Sequence, residues 1–224
     1  MPLPPLVYQG VLANQKRGTA MTAAATQISL PPSSARAPDA EVHEQFVERW
    51  SRRALSERAL SEAQIQSLFE AARWAPSANN FQPWLFVYAS RPDSLARARE
   101  LLLPNNQRWA NRAPLLVFVF ARKRHPETLA PLRTAAFDTG AAWQSLALQA
   151  HSLGLSTRAM GGIHHDRVYE ALGVPAEDFE SMIAIAIGYP GPRETLPEDL
   201  HEKEQPNARK RSSEFAFEGR YCPP

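Results

Sequence analysis

One cysteine in 224 residues, Cys222, excludes an intrachain disulfide framework and any cysteine-built zinc site, and suits a reducing compartment. Histidine offers no metal site either. His43, His125, His151, His164, His165 and His201 show neither HExxH nor a comparable ligand spacing, and neighbours such as His164 and His165 normally point apart. No GxGxxG follows a strand, and neither GxxxxGK[ST] nor a GxSxG elbow occurs. Classical dinucleotide folds, P-loop phosphoryl transfer and serine-hydrolase chemistry therefore lose their main support. Long apolar runs are missing too: residues 2–12 are too short and too broken by proline to span a bilayer, and carry no convincing small-residue cleavage pattern. We expect no membrane insertion, no export and a cytoplasmic location. Nor is there an excess of one charge, since 25 Lys and Arg face 23 Asp and Glu. That balance gives no general attraction to nucleic acid or to an acidic membrane.

What is present suits one compact core, with 44% hydrophobic and 9% aromatic residues. Residues 1–40 are rich in Pro, Ala, Ser and Thr without an apolar period, which predicts a mobile arm ahead of a single domain over 41–224. Val42, Phe46, Val47 and Trp50 fall on one helical face. Ser61 and Gln64 form a capping-box pattern, Ile65, Leu68, Phe69 and Ala72 continue a helical stripe, and Pro76 marks its stop. Residues 84–88 (WLFVY) and 115–120 (LLVFVF) read as buried strands, with a helix over 94–103 between them. Trp143, Leu146, Ala147 and Ala150 predict a central helix over 139–153 capped by Gly154. A short helix over 166–172 ends at Gly173, and residues 183–187 (IAIAI) predict a last buried strand closing at Gly188. The stretch from 190 to 224 reads as an arm over the body or over a second subunit, with Phe215 and Phe217 needing cover.

Two basic clusters and one loop remain to be assigned. Arg49, Ser51 and Arg53 alternate, so an extended backbone sends all three side chains one way, and two guanidinium forks flanking a hydroxyl suit a phosphate monoester. Arg209 and Arg211 repeat the spacing and can join that site only if the C-terminal arm returns to the body. Either cluster can equally be a solvated charged face. The loop at residues 75–84 (APSANNFQPW) combines short amides and hydroxyls with apolar surface, as the edge and faces of a flavin ring require.

The string RWSRRAL, followed by FEAARWAPSANNFQPWLF, resembles the opening of the FMN-dependent nitroreductase family, whose pattern is approximately R-x-S-x-R-x-F and then AxxAPSxxNxQPW. NNQRWANRAPLLV, DTGAAWQSLALQAHSLGLSTRAMGGI, LGVPAEDFESMIAIAIGYPG and RKRSSEFAFEGRY follow in family order, covering residues 44–222. The resemblance implies an α+β fold, with a central, mostly antiparallel sheet packed by helices in an intertwined homodimer. It places the FMN phosphate and ribityl end at Arg49, Ser51 and Arg53, with Trp50 in the same strip and Arg209 or Arg211 completing the pocket. Pro76, Ser77, Ala78 and Asn80 would reach the flavin ring from the partner subunit. Asn106 matches a position near the pyrimidine edge, and Met160, Gly161 and Gly162 match the loop whose amides face flavin N5.

The implied activity is transfer of reducing equivalents from NADH or NADPH through FMN to small electron-poor acceptors such as nitroaromatics or quinones. No catalytic side chain, metal, nucleic acid or membrane is needed. Departures at Leu55, Ala141 and Ala159 bear on the substrate pocket. A same-fold dehalogenase, enoate reductase or dehydrogenase therefore stays open, as does a non-catalytic FMN-binding protein.

Overall fold

The most apolar stretch of the chain, Leu115–Arg122, forms strand β2 of the computed structural model, and all of it except Arg122 is buried. The model describes residues 36–222, so most of the arm expected over 1–40 lies outside the described residues. β2 pairs antiparallel with β1 (Trp84–Ala89) and with β4 (Phe179–Gly188), and β4 pairs antiparallel with β3 (Ser156–Met160). The order β1-β2-β4-β3 gives a four-stranded sheet, packed by helices in an α+β fold. A register shift between Val119 and Phe120 marks a bulge in the β2–β4 ladder.

Side-chain alternation along β2 divides the core in two. Leu116, Phe118 and Phe120 face one cluster, with Leu95 and Ala98 of α3 (Pro92–Arg99), Trp109 and Ala110 of α4 (Pro104–Ala110), and Val168 of α6 (Val168–Leu172). Leu115, Val117 and Val119 face the other, with Ile65, Leu68 and Ala72 of α2 (Glu62–Arg73) and Ala142, Leu146 and Ala150 of α5 (Ala135–Ser152). Truncating Phe118 or Phe120, both fully buried, is a change of the kind that costs about 3–5 kcal/mol.

Local rules account for the helix ends. The Ser61 hydroxyl accepts the Gln64 N–H at 3.2 Å while the Gln64 amide oxygen accepts the Ser61 N–H at 3.0 Å, closing the expected capping box. Gly154 and Gly173 follow α5 and α6 with φ of 71° and 67°, the left-handed region that glycine enters without a Cβ clash. Other segments depart from expectation. β1 is a half-buried edge strand rather than a buried one, because among the described residues only β2 flanks it. α1 (Glu44–Glu48) is a single short helix whose Phe46 stays exposed. Ser156–Met160 is a strand that no apolar pattern announced, so that Met160 ends a strand and does not open the loop, and Pro104–Ala110 is a helix that no stripe announced. Phe217 packs edge-on against Tyr221, but Phe215 is exposed among the described residues.

Candidate functional site

The strip at residues 49–53 leads into the buried pair Ala54 and Leu55, which fixes its place against the sheet. Ser56 N–H donates to the Tyr189 carbonyl at 2.8 Å and Gly191 N–H to the Ala54 carbonyl at 2.9 Å. A Cβ on Gly191 would meet the Leu55 backbone at 2.8 Å, so this close approach requires glycine. Beside the strip lies a cavity of about 340 Å³ lined by Ser51, Arg53, Arg158, Glu202, Lys203, Gln205 and Asn207. The C-terminal arm thus does return to the body.

Glu204 makes the link. Its carboxylate accepts the Arg53 N–H at 2.9 and 3.0 Å and the Ala54 N–H at 3.0 Å, while Arg53 Nη1 donates to the Lys203 carbonyl at 3.1 Å. Arg158, in the middle of β3, donates from Nη1 to the Ser51 carbonyl and lies 5.5 Å from the centroid of the Trp109 ring. Burial, then the neighbouring Arg53, pull its pKa down to about 10 against an opposing pull from Glu204.

The remaining members of the expected phosphate set divide. Arg49 does not line the cavity; it stands with Arg36 and Arg209, and burial followed by Arg209 lowers its pKa. Arg36 Nη1 donates to the Val47 and Arg49 carbonyls and its Nε to the Asn207 carbonyl, tying the arm to the strip a second time. The ring of Trp50 carries the Arg52 guanidinium 4.4 Å from its centroid, and neither residue lines the cavity. Arg211 is exposed, with its N–H bonded to Glu214 in a short cap.

The loop at residues 76–83 is held in an unusual backbone. Asn79, Asn80 and Gln82 have φ of 48°, 56° and 49°, the left-handed region, at a typical cost of about 1–2 kcal/mol per residue. Besides its own backbone turns, two side-chain acceptors help to hold it there. Ser77 Oγ accepts the Gln82 N–H at 3.1 Å, and Asp138 Oδ2 accepts the Ala78 N–H at 3.2 Å. Asp138 is buried on the first turn of α5 and also accepts the Thr134 hydroxyl at 3.0 Å. Pro76, Asn79 and Asn80 are exposed, and Ser77 and Ala78 half-buried.

Met160, Gly161, Gly162 and Asn106 are brought together. The Gly161 carbonyl accepts the Ile163 N–H at 2.9 Å and faces His165 Nε2 at 3.1 Å; the Gly162 carbonyl accepts the Leu103 N–H at 3.0 Å and Asn106 Nδ2 at 2.9 Å. Because a trans peptide is planar, the Gly162 N–H points away from the Gly161 carbonyl and the two groups bonded to it. That N–H has no acceptor among the described residues. A Cβ on Gly162 would lie 2.6 Å from Asn106 Nδ2, so the pairing depends on glycine. A carbonyl can only accept, so the Gly161 contact places a proton on His165 Nε2, while the other ring nitrogen faces Ser181 Oγ at 3.0 Å.

Within one chain the loop and the cavity are far apart. Arg158, Ala186, Leu116 and Ala89 occupy one row across the sheet, and Trp84, where the loop ends, lies three strands over and five residues along. Strand spacing and rise make that about 20 Å.

A sequence model described as the nitroreductase family matches residues 46–108 and 98–189. A solved structure described as an oxidoreductase containing FMN is 40% identical with a TM-score of 0.82, covering 87% of this chain and all of that one. A nitroreductase family protein of Clostridium difficile has a TM-score of 0.62 at 22% identity, over 80% of this chain and 98% of that one. A provisionally named NADH dehydrogenase/NAD(P)H nitroreductase of Rhodopseudomonas palustris is 24% identical over 178 residues, 71% of this chain and 90% of its own length. Among the described residues no helix is long and apolar enough to cross a membrane.

Proposed function

The chain belongs to the nitroreductase family, and we propose that it is a homodimeric FMN-dependent oxidoreductase, drawing on NADH or NADPH to reduce small electron-poor acceptors by a ping-pong sequence. The observation that carries this reading is a cationic cavity lined together by the strip, by Arg158 of β3 and by the C-terminal arm, with a Gly162 N–H beyond the end of β3 that has no acceptor among the described residues. Ser51, Arg53, Arg158 and Lys203 offer a hydroxyl and three cations to a phosphate, against Glu202 in the lining. The Gly162 N–H, whose peptide is fixed by the two bonds to the Gly161 carbonyl, offers a donor for the place where negative charge gathers on a reduced ring. These donors fit a phosphorylated flavin. When bound, FMN supplies the hydride chemistry; the chain binds, orients and excludes water.

Arg49 of the first basic cluster and Arg209 of the second, close enough that Arg209 lowers the pKa of Arg49, complete the charge around the phosphate end, and Asn106 and Met160 border the ring end; Arg211 lies further along the same arm. Pro76, Ser77, Ala78 and Asn80 serve the flavin of a second copy, because the separation of about 20 Å keeps their loop from the cavity of their own chain. Apolar side chains near that loop favour such a partner: Trp74 is 73% exposed and Phe137 81%.

The test is direct. Purified protein is expected to be yellow with one FMN per subunit, to be bleached anaerobically by a nicotinamide nucleotide, and to regain colour with a quinone. Sedimentation is expected to show a dimer that loses flavin on dilution. Colourless protein that takes up no added FMN refutes the assignment, and flavin reduced without turnover on an acceptor points to a carrier.

A further inference from the structure

Arg158 is a charged residue at the centre of an edge strand, half-buried, with little to satisfy it. Only one of its N–H donors is used, on the Ser51 carbonyl; the rest of the fork makes no hydrogen bond among the described residues, although it lines the cavity. The carboxylate near it, Glu204, is committed to the Arg53 and Ala54 N–H groups. With Arg53 and Lys203 in the lining and only Glu202 and Glu204 opposing, one positive charge is in excess. Burial and Arg53 lower its pKa to about 10, which still leaves it charged at neutral pH and short of a counter-ion.

Its position along β3 is informative. Alternation puts Arg158 on the same face as Met160, and Met160 shares a buried cluster with Trp109, the ring beneath the Arg158 guanidinium. Gly161 and Gly162 follow three and four residues after Arg158, about 10–13 Å along an extended backbone. A ribityl phosphate of ordinary covalent geometry, with bonds of about 1.5 Å, spans roughly 12 Å from phosphorus to the central ring nitrogens of a flavin.

We propose that Arg158 is a phosphate ligand of the bound FMN, which sets the cofactor lengthwise along β3 with its phosphate at Arg158 and its ring at Gly161 and Gly162. This rests on the FMN reading above. Arg158 thereby acts twice: its Nη1 braces the Ser51 carbonyl, so that the strip keeps its shape, and its free donors face the phosphate. Trp109 holds the guanidinium plane between the two.

The experiment compares wild-type protein with R158Q and R158K, each stripped of flavin and titrated with FMN and with riboflavin, which lacks the phosphate. R158Q is expected to weaken FMN binding about tenfold or more and riboflavin binding less than about twofold. A 31P titration of bound FMN gives a second readout. Arg53, Arg158 and Lys203, opposed by Glu202 and Glu204, hold the phosphate below its ordinary second pKa of about 6, and R158Q raises that midpoint while R158K leaves it near wild type. FMN and riboflavin weakened equally, or a midpoint unmoved by R158Q, would mean that Arg158 only braces Ser51, and overturns the proposal. Should R158Q fail to fold by circular dichroism, R158K decides, because lysine keeps the charge and loses the fork. A loss of about threefold or more for FMN alone then supports the proposal, and an equal loss for both flavins overturns it. Wild-type protein that binds no FMN refutes the proposed function as a whole, whereas wild type and R158Q binding it equally refute only the role of Arg158.

Discussion

Asp138→Ala is expected to cost about 2–4 kcal/mol of stability and to release the loop at residues 76–83. The carboxylate is 4% exposed, and its Oδ2 accepts both the Ala78 N–H at 3.2 Å and the Thr134 hydroxyl at 3.0 Å. A hydrogen bond to a charged group is worth about 1.5–3 kcal/mol and a neutral one about 1 kcal/mol, and the half-buried Ala78 N–H is left without a partner when the acceptor goes. Helix α5 also loses a negative charge from its first turn, where the macrodipole favours one. Two further variants separate these effects. Asp138→Asn keeps an oxygen for both donors and gives up the charge, so about half the loss is expected. Thr134→Ala removes only the hydroxyl bond and is expected to cost about 1 kcal/mol. Urea denaturation at constant m gives the free energies, and flavin titration gives the functional consequence. Because the loop is proposed to serve the ring and not the phosphate, FMN and riboflavin affinities are expected to fall together. An Asp138→Ala loss below about 0.5 kcal/mol, or a loss confined to FMN, would refute this reasoning.

Other perturbations bear on the same site. Arg53→Ala is expected to reduce FMN affinity roughly tenfold to hundredfold, with turnover recovering in excess FMN, while Arg52→Ala changes little because that guanidinium stacks on Trp50 and does not line the cavity. Equal losses in FMN titrations of the two variants would show that only general positive charge matters. Gly162→Ala sets a methyl 2.6 Å from Asn106 Nδ2 and is expected to cost about 1–3 kcal/mol. Adding Asn106→Ala removes the clash, so the double variant is expected to lose less than the sum in denaturation, and strict additivity argues against the contact. The Glu70 carboxyl, hydrogen-bonded by Arg73 and then by Trp74, is lowered from its ordinary 4.5 to about 2. Being depressed in the folded state, it contributes stability that is present above about 4.5 and is lost as pH falls towards about 2. A carboxyl 13C titration of Glu70 with a midpoint near 4.5 would refute that.

Where local rules decide structure, the sequence was readable. Ser61 and Gln64 announced the start of α2, and Gly154 and Gly173 the ends of α5 and α6, because caps depend on residues within one turn. Ser156–Met160 carried no strand signal, since a serine, a threonine and an arginine break the apolar pattern; β4 recruits it by backbone pairing and needs no side-chain period. Pro104–Ala110 was hidden in another way, with only Trp109 and Ala110 buried in a helix of seven residues. The site divides along the same line. Ser51 with Arg53, and the residues around Ser77, lie in short motifs whose residue types suggest a phosphate and a flavin ring, whereas Gly162 and Asn106, 56 residues apart, were named only through the family resemblance. The partners Arg158, Lys203 and Glu204 stand 107, 150 and 151 residues away from the strip residues they meet. No local pattern carries that distance.

The two margins of the sheet differ in a way that matters for solubility of the chain on its own. A strand at a margin leaves a row of N–H and C=O groups on which another chain can add, and short length and charge are what discourage it. At β3 both operate: the strand has five residues and a guanidinium at its centre. β1, at the opposite margin, has six residues, Trp84–Ala89, without a single charge. Intermolecular sheet growth, wherever a folded chain stands alone or a folding one pauses half-assembled, therefore starts from the tryptophan-to-alanine margin, and the arginine margin resists it.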